Sequence, residues 1–198
     1  MDNQNSNIDE SSVSRINDHL SKHDCGFITA WRFAKDCNQG EPFTRKDKQE
    51  RNKRLYALLK SRGYGVTKVK GSFIEDFGSP TAREVGEESF FVVDLKDSGT
   101  LFDSLTSLGR AFEQDSVLFS EKGGDNVQLI GTSDCENAYP GDGNVLDQGS
   151  ISGKAGQFFS RIGSRPFSFT EIAEPGVYGR AARHQLAKIY EKELGLIK

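Results

Sequence analysis

Apolar positions along the chain switch between two spacings, and the switches mark out the elements. In residues 13–24, Val13, Ile16 and Leu20 fall three and four apart, which predicts a short amphipathic helix. Residues 26–31 are rich in aromatic and β-branched side chains (Phe27, Ile28, Thr29, Trp31) and predict a first strand. Thr44 and Asp47 have the spacing of a capping box, so a helix opens there. Leu55, Tyr56, Leu58 and Leu59 form its apolar stripe, and Arg62-Gly63 is a stop signal. Tyr64 to Phe77 alternates as a strand, with a bend or bulge expected at Gly71. Ser89 to Leu95 is apolar enough for a central strand. Ser98 or Thr100 caps a second helix carrying Leu101, Leu105, Leu108 and Phe112 on one face. Ser116–Phe119 and Val127–Ile130 read as two strands joined by a turn over residues 122–126.

The resulting order, β-α-β-β-α-β with one extra strand, predicts an α+β fold of the ferredoxin-like, split βαβ kind. Both crossovers carry a helix, so the helices should share one face of the sheet. Residues 1–12 are polar and predict a flexible tail, 13–131 the α+β core, and 132–198 a long loop, covering strands and a C-terminal helix. The loop, 132–156, is rich in Gly, Asp, Asn and Ser. Phe158, Phe159, Ile162, Phe167 and Phe169 are expected to cover the open face, and a helix over 179–194 carries Ala182, Leu186, Ile189, Tyr190 and Leu194 on one stripe.

Composition narrows the classes. The chain has 198 residues, 35% hydrophobic and 28% charged, enough for a real core. No apolar run approaches the roughly 20 residues of a membrane span, and the polar, acidic N-terminus does not read as a signal peptide. No membrane partner is expected. Three cysteines are too few for a disulfide framework, so reduced thiols in a cytoplasm are the expectation.

The net charge of −3 hides an asymmetry. Residues 45–70 hold ten basic side chains (Arg45, Lys46, Lys48, Arg51, Lys53, Arg54, Lys60, Arg62, Lys68, Lys70) against Asp47 and Glu50, a local charge of +8. Residues 75–103 hold eight acids. Such a basic helix suits phosphates, a polyanion or an acidic protein, although a charge run is ordinarily a solvated face.

Candidate chemistry is sparse. Asp94-Leu-Lys96 at a strand end, with Glu87 and Glu88 before it and Glu75-Asp76 on the neighbouring strand, is the minimum a Mg²⁺-dependent nuclease would need. No other cofactor is expected. His19, His23, Cys25 and Cys37 are zinc-type ligands at irregular spacing, which favours residues without metal over a zinc site and leaves the zinc reading as the lesser alternative. Cys135 has no His near it in the sequence, and no Ser-His-acid set can be assembled. Thr29, Arg32, Glu87-Glu88 and Gln114-Asp115 are polar residues at strand ends. In a split βαβ sheet, Arg32 is expected near the Glu pair, as a structural contact or in a ligand pocket.

Phe27-Ile-Thr-Ala-Trp31, Asn52, Arg62-Gly63-Tyr64, Gly71, Glu87-Glu88-Ser89-Phe90, Leu108-Gly109 and Gln114-x-x-Val117 follow one ordered pattern. Over residues 26–130 the chain resembles a bacterial domain family of unknown function. The segments 63–71, 91–97, 114–117, 137–141 and 163–167 are more similar to a tailed-phage branch. That resemblance implies a phage accessory protein made in an infected bacterium, with virion packaging as a further possibility. It implies no catalytic residue. The expectation is therefore a non-enzymatic protein that binds a host or phage protein, or nucleic acid, in host takeover or counter-defence. The alternatives are a nucleic-acid binder using the basic helix 45–62 and a Mg²⁺ nuclease.

Overall fold

A computed structural model describes residues 16, 18–75, 83–123, 127–136, 138–147, 167–171 and 188–197; for 70–75, 83–87 and 167–171 only the backbone is described. The strands are β1 (Cys25–Ile28), β2 (Gly65–Glu75), β3 (Arg83–Val93), β4 (Ser116–Ser120), β5 (Val127–Gly131), β6 (Val145–Asp147) and β7 (Phe167–Glu171). The crossover helices are α1 (Arg45–Ser61) and α2 (Leu101–Ala111). Residues 18–22 and 188–193 are also helical.

All neighbours are antiparallel in one seven-stranded sheet, β6-β5-β4-β1-β3-β2-β7. Its inner order, β4-β1-β3-β2, is the ferredoxin-like arrangement expected from the sequence. Local signals explain the frame. Thr44 Oγ1 accepts from Asp47 N and the Asp47 carboxylate accepts from Thr44 N, closing the capping box that starts α1. Gly63, at φ 90°, ends it in a conformation that favours glycine.

Alternation along the central strands sorts side chains onto two faces. Ile28, Phe90, Val92, Val117, Phe119 and Ile130 meet Leu55, Leu58, Leu59, Leu101, Leu105 and Leu108 of the helices. Cys25, Phe27, Phe91, Val93, Leu118 and Leu129 face the other way, where Ile16 and Leu20 pack on them. Each large apolar side chain buried in this way contributes about 1.5–3 kcal/mol. Gly26 lets α2 approach β1: a Cβ there would collide with the Leu105 side chain and the Leu118 carbonyl.

Three expectations need correction. The β2–β3 ladder runs from Gly65↔Val93 to Glu75↔Arg83 without a skipped residue, so Gly71 makes no bulge. The polar stretch after β5 is not wholly loop, because Val145–Asp147 pairs with β5 as an edge strand. Phe167–Glu171 does not cover a face; it pairs with β2 and extends the sheet. Phe158, Phe159 and Ile162, and most of the 179–194 helix, lie outside the described residues.

Candidate functional site

Polar burial concentrates where β1 and β5 end and β4 begins, beside the middle of β3. Arg32, Asn52, Ser89, Gln114, Thr132 and Ser133 are all buried. The construction starts at Thr29, just past β1. Its Oγ1 donates to the Glu88 carbonyl at 2.8 Å and accepts from Trp31 N at 2.9 Å. Asn52, reaching from α1, accepts from Ala30 N at 2.8 Å and donates to the same Glu88 carbonyl at 2.7 Å. These bonds peel the chain off β3 and turn residues 30–32 away from it.

The turned chain carries Arg32 across the sheet end. Its side chain is 4% exposed and lies 3.4 Å from Asp115 Oδ1 through Nη1, with Nη2 3.7 Å from Cys135 Sγ. Arg32 Nε is buried and has no hydrogen-bond partner among the described residues. Leaving such a donor unmatched costs on the order of 1–3 kcal/mol, so it calls for an explanation. Arg54 Nε is unmatched as well, on a side chain that is 37% exposed. The frame around it is firm. Gln114 Nε2 donates to the Phe112 carbonyl at 2.9 Å, Thr132 Oγ1 to the Gln114 carbonyl at 2.6 Å, and Thr132 N to the Asp115 carbonyl at 3.0 Å.

Arg51 backs the site from α1. Its Nε donates to the Ala30 carbonyl at 3.0 Å and its Nη2 to the Phe112 carbonyl, and its guanidinium lies 4.6 Å from the Phe43 ring. Burial pushes the Arg51 pKa down, Glu113 pulls it back up, and the neighbouring Arg32 and Arg54 lower it again. Trp31 and Phe33 form a rim with Lys48 Nζ 5.6 Å from both rings, and Phe33 is 51% exposed. The end of the sheet therefore offers a buried guanidinium for an anion, the half-exposed carboxylates of Glu113 and Asp115 for a cation, and aromatic faces for a planar ring.

The other flagged residues fall elsewhere. Arg32 pairs with Asp115 and not with Glu88, because Thr29 and Asn52 redirect the chain before it reaches that residue. Asp94 lies at the opposite end of β3, and its Oδ2 is taken by Ser98 Oγ at 2.7 Å and Gly99 N at 3.1 Å. Six residues at ~3.3 Å each separate it from Glu88 along the strand. Glu75 pairs with Arg83 at the far end of the β2–β3 ladder, and Asp76 lies outside the described residues. Asp94 and Glu88 are therefore too far apart to share a metal ion. Glu87 and Lys70 have described backbones only.

The zinc-type residues are likewise dispersed. Cys37 is bonded to Cys135, which corrects the expectation of free thiols; a separation of 98 residues gave no signal of it. Cys25 is buried in β1, where desolvation and then Asp24 push its thiol up to about 12. His23 Nδ1 lies 2.9 Å from Asp97 Oδ1. Among the described residues no three His, Cys, Asp or Glu side chains are grouped to hold a metal ion. No described helix is long and apolar enough to cross a membrane.

The basic helix is largely turned inward on the protein itself. Arg54 reaches Glu193 at 3.2 Å and packs 5.1 Å from the Tyr190 ring, Arg62 lies 3.7 Å from Glu191, and Lys53 3.7 Å from Glu50. Lys60 Nζ donates to the Tyr64 carbonyl at 3.5 Å, and Lys68 lies 5.7 Å from the Tyr56 ring. Arg45 and Lys46 are exposed at the start of α1. Among the described residues, the acids that answer the helix are Glu50, Glu113, Glu191 and Glu193.

Comparison with known proteins supplies what the geometry alone does not. The model of the S-adenosylmethionine lyase family matches residues 27–170, from β1 into β7. No curated protein matches the sequence. The family match overturns the expectation of a non-enzymatic binder and the lean away from an enzyme, and it displaces host-protein docking, nucleic-acid binding and the Mg²⁺ nuclease as readings of this chain. The resemblance drawn from the sequence carried no activity, so its motifs gave no signal of a reaction.

Proposed function

This chain belongs to the S-adenosylmethionine lyase family, and on that footing we propose that it cleaves S-adenosylmethionine at the sulfonium, holding the substrate at the strand-end site around Arg32. A lyase breaks the bond without water or a redox partner, so the electrons must come from the substrate itself. A carboxylate oxygen of the methionyl group attacks its own Cγ. The C–O bond forms as the Cγ–S bond breaks, and sulfur keeps the electron pair. The products are neutral methylthioadenosine and the five-membered lactone of homoserine, with no proton moved and no metal or organic cofactor required.

Positive sulfonium and negative carboxylate neutralise each other on the way to this transition state. A site that excludes water therefore favours it, and so does one that folds the methionyl chain back on itself. The single observation that carries the assignment is Arg32 Nε, a buried, unmatched donor inside the matched span. Nη1 and Nη2 each have a partner, Asp115 and Cys135, and Nε is the guanidinium nitrogen with none. It can hold one carboxylate oxygen and leave the other free to attack. Glu113 or Asp115 suits the substrate ammonium, and Trp31 or Phe33 the adenine.

Chromatography and mass spectrometry of the purified, reduced protein incubated with S-adenosylmethionine test this. Methylthioadenosine and homoserine lactone should appear in equal amounts. An unsaturated four-carbon amino acid would replace internal attack by proton abstraction. No methylthioadenosine at all would sink the assignment.

A further inference from the structure

We propose that the Cys37–Cys135 disulfide is a redox-operated clasp that closes this site when oxidised and opens it when reduced. The inference rests on the reading of Arg32 as the substrate's anchor. The disulfide joins the loop between β1 and α1 to the segment after β5, so it straddles the strand ends that carry Arg32. In the clasped form Arg32 Nε is both unmatched and sealed from solvent. A substrate cannot reach it there without something moving.

The loop is built to move as one piece. Ala34 bridges Pro42, Phe43 N donates to the Phe33 carbonyl at 2.9 Å, and Gly40 N to the Lys35 carbonyl at 3.0 Å, so residues 33–43 form a closed hairpin. At its tip Asp36, Cys37 and Asn38 all take left-handed backbone conformations, with φ of 48°, 57° and 64°. Three successive non-glycine residues in that region are strained, and the disulfide at the middle one holds them there. Releasing the bond lets the tip relax and the hairpin swing.

The chemistry is also set up. Cys37 is exposed and Cys135 half-buried, so a dithiol reductant attacks Cys37 Sγ. The S–S bond breaks and the electron pair leaves on Cys135 Sγ, which lies beside Arg32 Nη2. A guanidinium there stabilises the departing thiolate. The second thiol of the reductant then displaces Cys37. Two protons and two electrons end on the two cysteines, and the reductant becomes a disulfide.

Two measurements on the full chain separate this proposal from the one it rests on. Amide hydrogen exchange of residues 33–43 and 132–136 is compared between oxidised and dithiothreitol-reduced protein, and methylthioadenosine release is timed in the same samples. Reduction should speed exchange in both segments and raise the cleavage rate about ten-fold or more. Cys37→Ser should be fast in both states and indifferent to reductant. Exchange that responds to reduction with no cleavage in either state keeps the clasp and removes the lyase site. Cleavage that is equal in both states, or faster when oxidised, overturns the clasp.

Discussion

The two ends of the sheet bury polar groups in opposite ways. At the end where β3 finishes, Asp94 is 2% exposed, yet Ser98 Oγ and Gly99 N saturate one of its oxygens, and its own N–H donates to the Asp24 carbonyl at 3.0 Å. Tyr64 beside it has its hydroxyl 2.8 Å from both Thr100 and Ser104. At the end where β1 finishes, Arg32 is just as buried but leaves Nε unmatched. The chain bears both a carboxylate and a guanidinium in its interior, and only the second is incompletely satisfied. Burial alone does not mark a site, nor does a missing partner alone, since Arg54 Nε is unmatched too on a side chain 37% exposed; Arg32 combines the two.

The largest test of that contrast is Arg32→Met. Removing the guanidinium should lower kcat/KM of the reduced enzyme about 100-fold or more. The melting temperature should hold or rise, because the buried charge had an unmatched donor. A variant that melts early and keeps its activity would assign Arg32 a structural role. Next comes Asn52→Ala, which strips the partner from buried Ala30 N and leaves the Glu88 carbonyl with Thr29 alone from this clamp. Urea unfolding should show a loss of about 2–3 kcal/mol. Asp94→Asn, at the satisfied end, should cost about 1–2 kcal/mol and leave kcat of the folded enzyme unchanged. A large fall in kcat would return Asp94 to the chemistry.

The smallest effect is a pH dependence at the satisfied end. Hydrogen bonds from His23 and then Lys122 hold the Asp97 carboxyl below its usual range. A depressed carboxylate stabilises the fold above its unfolded pKa, near 3.8, and that contribution disappears as pH falls through the lower folded value. Acid unfolding curves of the protein and of Asp97→Asn should therefore differ at pH 5 and converge at the acid end. Parallel curves would remove Asp97 from the account.

Local signals carried most of the frame into the sequence. The capping box at Thr44, the stop at Gly63 and the apolar run at Phe90–Val93 each act within one element, so short-range patterns suffice to find them. Thr29, Arg32, Gln114 and Asp115 were also visible as polar residues at strand ends. Their grouping was not, because it depends on Asn52 clamping a carbonyl 36 residues away. The same holds for the disulfide and for the pairing of Arg54 and Arg62 with Glu193 and Glu191, where partners more than 90 residues apart leave no local trace. Strands were expected within 132–198, but the pairing of β6 and β7 onto the sheet edges was not legible, because three and five residues acquire strand character from the neighbour they add to.

Those late edge strands have a bearing on synthesis. β6 completes one rim of the sheet beside β5, and β7 completes the other beside β2. A chain leaving the ribosome can assemble β1 to β5 and both crossover helices well before residue 167 has emerged. Until then the β2 rim is raw, with its outward backbone groups ready to pair with another nascent chain. Sealing it is a long-range event that local propensity cannot hurry. Until β7 arrives, the protection that pairing gives this edge is missing, so the last-made strand also serves as the cover for one of the first.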